Sequence, residues 1–283
     1  MKRKIAILYH EKQREKELNY IVDCYAEYWR EDGHEVIPLF GVAQFVPADL
    51  IIVHVDLSVV PEEYLDFARR YPVVLNGAVR DIRKSTYSRL RLKPGDPYEG
   101  KVIVKSNYNF AATPERALGV ALDPRGVSAS FFWSPQDYQI YENPQAVPAV
   151  LFDDSNVIVE KFQPEYVDGL YYMRAMLFVG NHVTCSRVSS REPIVNFSTL
   201  VKMDRVEPHP DIVKLPKAMG FDLGKFDYVI HEGRALLLDA NKTTGGVSGP
   251  SSPELVAARR YRAEGLYDFF QDRPDSLDTR SPA

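Results

Sequence analysis

LLLDANKTTGG, residues 236–246, decides how the chain is read. Three leucines run into Asp239, Ala240 and Asn241, and the chain then breaks into Thr and Gly. Side chains alternate along a strand, so Asp239 and Asn241 share one face and Ala240 takes the other. Two readings are open at this point. Asp and Asn favour turns because they hydrogen-bond their own backbone, which makes this a plain strand end. Two oxygen donors on one face also suit a hard metal ion.

The residues just upstream sharpen the choice. FDYVIHEGRALLLDAN, 226–241, reads as a hairpin turning around Glu232-Gly233-Arg234. Asp227 shares a face with Asp239 only if the connecting loop holds an odd number of residues. A three-residue loop meets that condition. A two-residue loop pairs Asp227 with Leu238 and sends the carboxylates to opposite faces. In the odd register the two carboxylates oppose each other and destabilise the sheet unless a cation sits between them. Mg²⁺ takes oxygen ligands, usually one or two carboxylates together with substrate phosphates.

Working outward, 283 residues suffice for one large or two modest domains. A hydrophobic content of 45% and a charged content of 26% place the chain among soluble globular proteins. The net charge of −4 offers no basic excess, so nucleic acid is not an expected partner. The apolar run in MKRKIAILYHEK is too short for a signal peptide or a membrane span. Cys24 and Cys185 make no metal pattern and no disulfide framework, so a reducing cytoplasm is the default location. The six histidines are scattered without metal-ligand spacing.

The first 77 residues alternate strand and helix. KIAILYH (4–10), VIPLF (36–40), DLIIVHV (49–55) and PVVLNG (72–77) read as strands. Residues 15–32 and PEEYLDFARRY (61–71) read as helices, the second with Pro in its first turn. That order predicts an α/β unit with a small parallel sheet. A polar, basic stretch at 78–100 marks a boundary. Beyond it KVIVK (101–105) and NVIVEKF (156–162) read as strands, and YYMRAMLFVGNHVTCSRV (171–188) reads as a hairpin turning at Gly180-Asn181. Hairpins predict antiparallel sheets in the larger part, giving an α/β (α+β) chain. The expected division is 1–77, 78–251 and a C-terminal helix with a fraying tail at 252–283.

Taken in order, Lys105, Glu160-Lys161-Phe162, Arg174, Asp227 and Asp239-x-Asn241-Lys242-Thr243 resemble the ATP-grasp superfamily, nearest in look to glutathione synthetases and ribosomal-protein glutamate ligases. The resemblance runs from about residue 101 to 246, and the first 77 residues resemble the domain that precedes an ATP-grasp fold. It implies two subdomains with antiparallel sheets, ATP and Mg²⁺ as cofactors, and ligation of a small carboxylic acid to an amine or thiol through an acyl phosphate. It also implies roles. Lys84 and Lys105 would touch the nucleotide phosphates. Glu160, Lys161 and Phe162 would hold adenine, the last two through their backbone. Arg174 would lie near the γ-phosphate, and Arg187 would be a second phosphate or substrate arginine. Asp227, Asp239 and Asn241 would be the magnesium ligands.

Three departures from the family pattern stand out. The stretch SNYNFAATPERALGVALDPRG (106–126) holds only two glycines, both late, where the family has a glycine-rich phosphate loop. Tyr172 stands where a ribose-binding acid is usual, with Glu165 or Asp168 as substitutes. Asp239 stands where a longer Glu is common. Without ligase activity the same fold would be a nucleotide-binding protein, and with a hydroxyl acceptor a small-molecule kinase. Substrate-choosing loops are expected at 190–202 and 131–141. Dimers are the commonest assembly, so a homodimer is the default quaternary expectation.

Overall fold

The computed structural model of the chain describes residues 2–14, 16, 18–123, 134, 137–246 and 252–271. Of the expected substrate loop at 131–141, residues 131–133, 135 and 136 fall outside these residues, as do the tail beyond 271 and the end of the glycine-poor stretch.

The first sheet is parallel, with strand order β2-β1-β3-β4 for β1 (Lys4–Tyr9), β2 (Glu35–Phe40), β3 (Leu50–Val53) and β4 (Val74–Leu75). Alternation along β1 explains its unbroken apolar sequence. Ile5, Ile7 and Tyr9 pack under α1 (Ile21–Glu31), while Ala6 and Leu8 pack under α2 (Glu62–Ala68). Parallel strands covered on both faces have no polar side to show. The helix expected from residue 15 begins only at Ile21. Tyr20 is held extended in a bridge to Gly245, and its N–H donates to the Asp23 carboxylate at 2.9 Å. Tertiary pairing thus overrides helical spacing in the first turn. Gly33, in the left-handed region, ends the helix as expected.

A short α3 (Lys84–Tyr87) leads to a three-stranded antiparallel sheet of order β6-β5-β7, from β5 (Val102–Ser106), β6 (Gln139–Tyr141) and β7 (Val157–Lys161); α4 (Thr113–Ala117) follows β5. The largest sheet is antiparallel, ordered β11-β10-β9-β12-β13. Its strands are β9 (Leu170–Val179), β10 (His182–Ser190), β11 (Leu200–Arg205), β12 (Leu223–His231) and β13 (Arg234–Asn241), with β8 (Glu165–Val167) added beside β9. The hairpin of β9 and β10 turns at Gly180-Asn181, as the sequence predicts. One face of this sheet carries Met176, Phe178, Phe226 and Tyr228, packed near α5 (Pro210–Val213) and α6 (Leu215–Ala218). The helix α7 (Pro253–Glu264) packs against α1, β9 and β10, and its Ala263 joins the core under β1. Among the described residues no helix is long and apolar enough to cross a membrane.

His54, at the end of β3, is fully buried against Tyr9 and Tyr20, and its Nδ1 has no hydrogen-bond partner. Burial, with the Lys242 charge adding to it, pushes its pKa from 6.5 down to about 3. The unfolded chain therefore binds the extra proton first, and stability is lost as pH falls from 6.5 towards 3. By pH ~4 this one group should cost about 3 kcal/mol. His54→Phe should remove that component from urea melts taken between about pH 7 and about pH 4. An unchanged acid dependence would show that His54 titrates normally.

Candidate functional site

The hairpin of β12 and β13 solves the parity problem in a way the sequence does not suggest. Its loop is two residues, Glu232 and Gly233, both with positive φ, and Arg234 already pairs with His231 in the ladder. The three-residue loop is therefore corrected to a two-residue one. Tyr228 pairs with Leu237, the register then shifts, and Asp227 pairs with Asp239 and Lys225 with Asn241. Leu238 is the extra residue of a bulge. The bulge supplies the odd count that the loop lacks, so Asp227 and Asp239 still face each other.

Three lysines surround the facing carboxylates. Lys84 Nζ lies 3.0 Å from Asp239 Oδ1 and donates to the Tyr108 carbonyl at 2.8 Å. Lys225 Nζ lies 2.8 Å from Asp227 Oδ2. Lys105 Nζ reaches the carbonyl of the bulged Leu238 at 3.2 Å and Glu160 Oε2 at 2.6 Å. Burial tends to raise both Asp pKa values, but the outcomes diverge. For Asp239 the fields of Lys84, Lys225 and Lys105 outweigh burial and hold the carboxyl below its usual value. For Asp227 burial, reinforced by Asp239, wins over Lys225 and the carboxyl is pushed up. Asp227 Oδ1 and Glu160 Oε1 are buried without a hydrogen-bond partner.

The sequence reading missed Lys225. It stands two residues before Asp227 on the same strand, and hence on the same face, so the alternation that found Asp239 and Asn241 also points to it. Asn241 answers to both readings of its stretch: its Oδ1 accepts the Thr243 N–H at 2.8 Å, the local bond of a turn residue, while its side chain shares the face of the acid pair.

Other expected residues lie differently. The Lys161 N–H donates to Leu90 O and the Phe162 N–H to Lys101 O, each at 2.8 Å, so the backbone donors expected to read adenine are already engaged within the protein. Asp168 is exposed at the turn between β8 and β9 with φ of 50°. Glu165 is buried and accepts from Arg174 Nε at 3.1 Å, Arg174 Nη2 at 2.7 Å and the Ile230 N–H at 2.9 Å. Neither stands as an open acid.

Arg174 pairs with Tyr228 across β9 and β12, whereas Asp227 pairs with Ala175. Neighbouring residues on a strand point to opposite faces, so Arg174 lies on the reverse face from the acid pair. Arg187 pairs with Arg174 and shares that face, with its guanidinium 4.6 Å from the Tyr172 ring centroid and its Nη2 3.8 Å from Asp204 Oδ2. The structure thus gathers Lys84, Lys105, Glu160, Asp227, Asp239 and Asn241, and sets Arg174, Arg187 and Glu165 apart from them.

Where a glycine-rich loop is expected, Phe110, Ala111 and Ala112 all take left-handed backbone angles, with φ of 43°, 54° and 61°. Left-handed residues with a Cβ cost roughly 1–2 kcal/mol each. The strain sits in the segment that follows Lys105.

This donor set fits a phosphate-bound magnesium. Among the described residues no three His, Cys, Asp or Glu side chains converge to hold a metal unaided. Two carboxylates, one with an unclaimed buried oxygen, and an amide make the partial shell that Mg²⁺ completes with phosphate oxygens and water. Lysines at the same spot offer charge to those phosphates.

No protein-family model matches the sequence, and no curated protein matches it. Solved structures do. An ATP-grasp ligase, PsnB, complexed with a minimal precursor, aligns at 12% identity over 96% of this chain and 100% of that one, with a TM-score of 0.56. The same ligase with a phosphomimetic precursor variant, Mg and ADP aligns at 10% identity over 94% and 98%, with a TM-score of 0.52. A RimK-domain ATP-grasp protein from Sphaerobacter thermophilus aligns at 12% identity over 94% and 98%, with a TM-score of 0.50. Parallel sheet first, antiparallel sheets after, and a full-length match to these proteins: the chain has the ATP-grasp fold.

Proposed function

We propose that the chain is an ATP-dependent carboxylate–amine or carboxylate–thiol ligase working through an acyl phosphate. The observation that carries this is the Asp227–Asp239 pair, aligned in register and ringed by Lys84, Lys105 and Lys225. A sheet keeps such a pair at a stability cost, and a cation with phosphates relieves it. Bound Mg-ATP supplies the phosphoryl group that activates the substrate carboxylate. Asp227, Asp239 and Asn241 would hold the metal. Lys84 and Lys105 would neutralise phosphate oxygens, with Glu160 fixing the Lys105 ammonium. Lys225, beside Asp227, would take over the γ-phosphate role that the resemblance gave to Arg174. In this reading Arg174 and Arg187 support the sheet. The protein positions reactants and stabilises charge, as phosphoryl transfer requires.

The substrates would be a small or peptide-like acid and amine, consistent with precursor-bound relatives of the fold. A cytoplasmic location and a division of the chain near residues 77 and 251 belong to the same proposal. The glycine-free left-handed turn at Phe110 favours a second reading, a Mg-nucleotide binder without ligase activity. The test is ADP release with Mg-ATP over a panel of acids and amines. Release that needs a carboxylic acid, with an amide product, is the expected result. Nucleotide binding without release would support the binder, and a phosphorylated product would make the chain a kinase.

A further inference from the structure

The two outer strands of the largest sheet differ in what meets them. At β13 the Ala240 N–H donates to Tyr87 Oη at 3.1 Å, and the Leu238 carbonyl accepts from Lys105 Nζ at 3.2 Å, so the rest of the chain takes up that edge. At β11 the edge is open. Leu200, Val201 and Met203 are 39%, 52% and 45% exposed. Among the described residues nothing outside the sheet bonds to the backbone of Met203 or Arg205. An open edge is a template for another strand, and natural sheets usually blunt theirs. Three exposed apolar side chains do not blunt one. The register shifts near Val201, so the regular stretch is 202–205.

The ladder fixes which backbone groups point outward. The Val206 N–H donates to the Cys185 carbonyl at 3.1 Å. Alternate residues follow it, so Asp204 and Lys202 turn their backbone toward β10 while Met203 and Arg205 turn theirs away. A strand added at this edge must therefore bond to Met203 or Arg205. Consider a second β11 laid antiparallel across a two-fold axis. Centred on residue 202 it sets Lys202 against Lys202, and centred on residue 204 it sets Asp204 against Asp204. Centred on Met203, it sets each Lys202 against the Asp204 of the second copy. Opposite charges directly across an antiparallel pair stabilise it, and like charges do the reverse. Lys202-Met203-Asp204 is thus self-complementary in one register and repulsive in the registers on either side. Within one chain Lys202 Nζ lies 2.7 Å from Asp204 Oδ1, and Arg187 Nη2 lies 3.8 Å from Asp204 Oδ2. The Lys202 side chain remains 68% exposed in that arrangement, free to meet a second carboxylate.

We propose that the β11 edge is the interface of a two-fold homodimer, in which a second copy of this chain continues the largest sheet with Met203 at the axis. The inference is independent of the ligase reading. Residues opposite each other across the join share a face, so the axis stands normal to the sheet and both Asp227–Asp239 pairs lie on one side of it. Sedimentation equilibrium should show a dimer for the wild type. Lys202→Asp and Asp204→Lys should each weaken it at least about tenfold, because each change sets like charges against each other twice, once on either side of the axis. Mixed in equal amounts, the two variants should associate with each other, since the mixed pair has opposite charges at both positions. Thermal melts taken alongside separate lost association from lost folding. A short thiol cross-linker should join chains of Met203→Cys and leave the wild type single, whose Cys185 is buried and Cys24 half-buried. That reading holds even where a charge variant fails to fold. A wild type that sediments as a monomer overturns the proposal, as does a dimer indifferent to both charge changes. Cross-linking through Lys202→Cys or Asp204→Cys but not through Met203→Cys overturns it as well, because the register is then another.

Discussion

Asp239→Ala should abolish ATP turnover while the protein stays folded. Asp239 is the carboxylate that Lys84 touches and that all three lysines hold ionised. Taking it away removes a metal ligand and half of the facing pair. By analogy with the loss of one oxyanion donor, transition-state stabilisation should fall by about 3 kcal/mol or more, at least about a hundredfold in rate. The fold should survive for two reasons. Asp227 is freed from a like charge across the strand. Lys84 keeps its bond to the Tyr108 carbonyl. ADP formation, followed alongside thermal melting, checks both halves. Turnover at the wild-type rate would take the metal role away from this residue.

Arg174→Met should do the reverse, lowering stability with little effect on nucleotide affinity. Glu165 is buried and receives three hydrogen bonds, two of them from Arg174. Without the guanidinium the carboxylate keeps only the Ile230 N–H. Breaking a buried pair from one side costs about 3–5 kcal/mol. A second change, Glu165→Leu, should recover much of that loss, because a buried pair replaced as a whole by apolar groups is often neutral. Urea melts of the single and double variants, with Mg-ADP titrations below the melting point, check this. A large drop in nucleotide affinity at unchanged stability would place Arg174 on the phosphate side of the sheet after all.

These two residues show what was legible in the sequence. The parallel sheet and the antiparallel hairpins follow from period-two alternation and turn signals, and the structure carries them, whereas the Asp227–Asp239 pairing was expected from a three-residue loop that the structure replaces with a two-residue loop and a bulge. The device that aligns the acids was not legible. A bulge leaves no mark on composition, and Glu232-Gly233-Arg234 reads equally as a loop of two or three. Arg174 was legible as a residue type but not as a side, because its face depends on which residue of β12 it meets. Lys225 lies on the same face by the same alternation, two residues before Asp227.

The shifted ladder at Leu238 has a consequence for how such a chain changes over time. Eleven residues separate Asp227 from Asp239, and what keeps the acids together is that this number is odd. A residue can move between the tip of the ribbon and its kink without disturbing the acids. Gain or loss of a single residue in between turns one carboxylate away unless a compensating kink appears or vanishes. Length drift in this ribbon should therefore occur in steps of two, or as paired events at both ends.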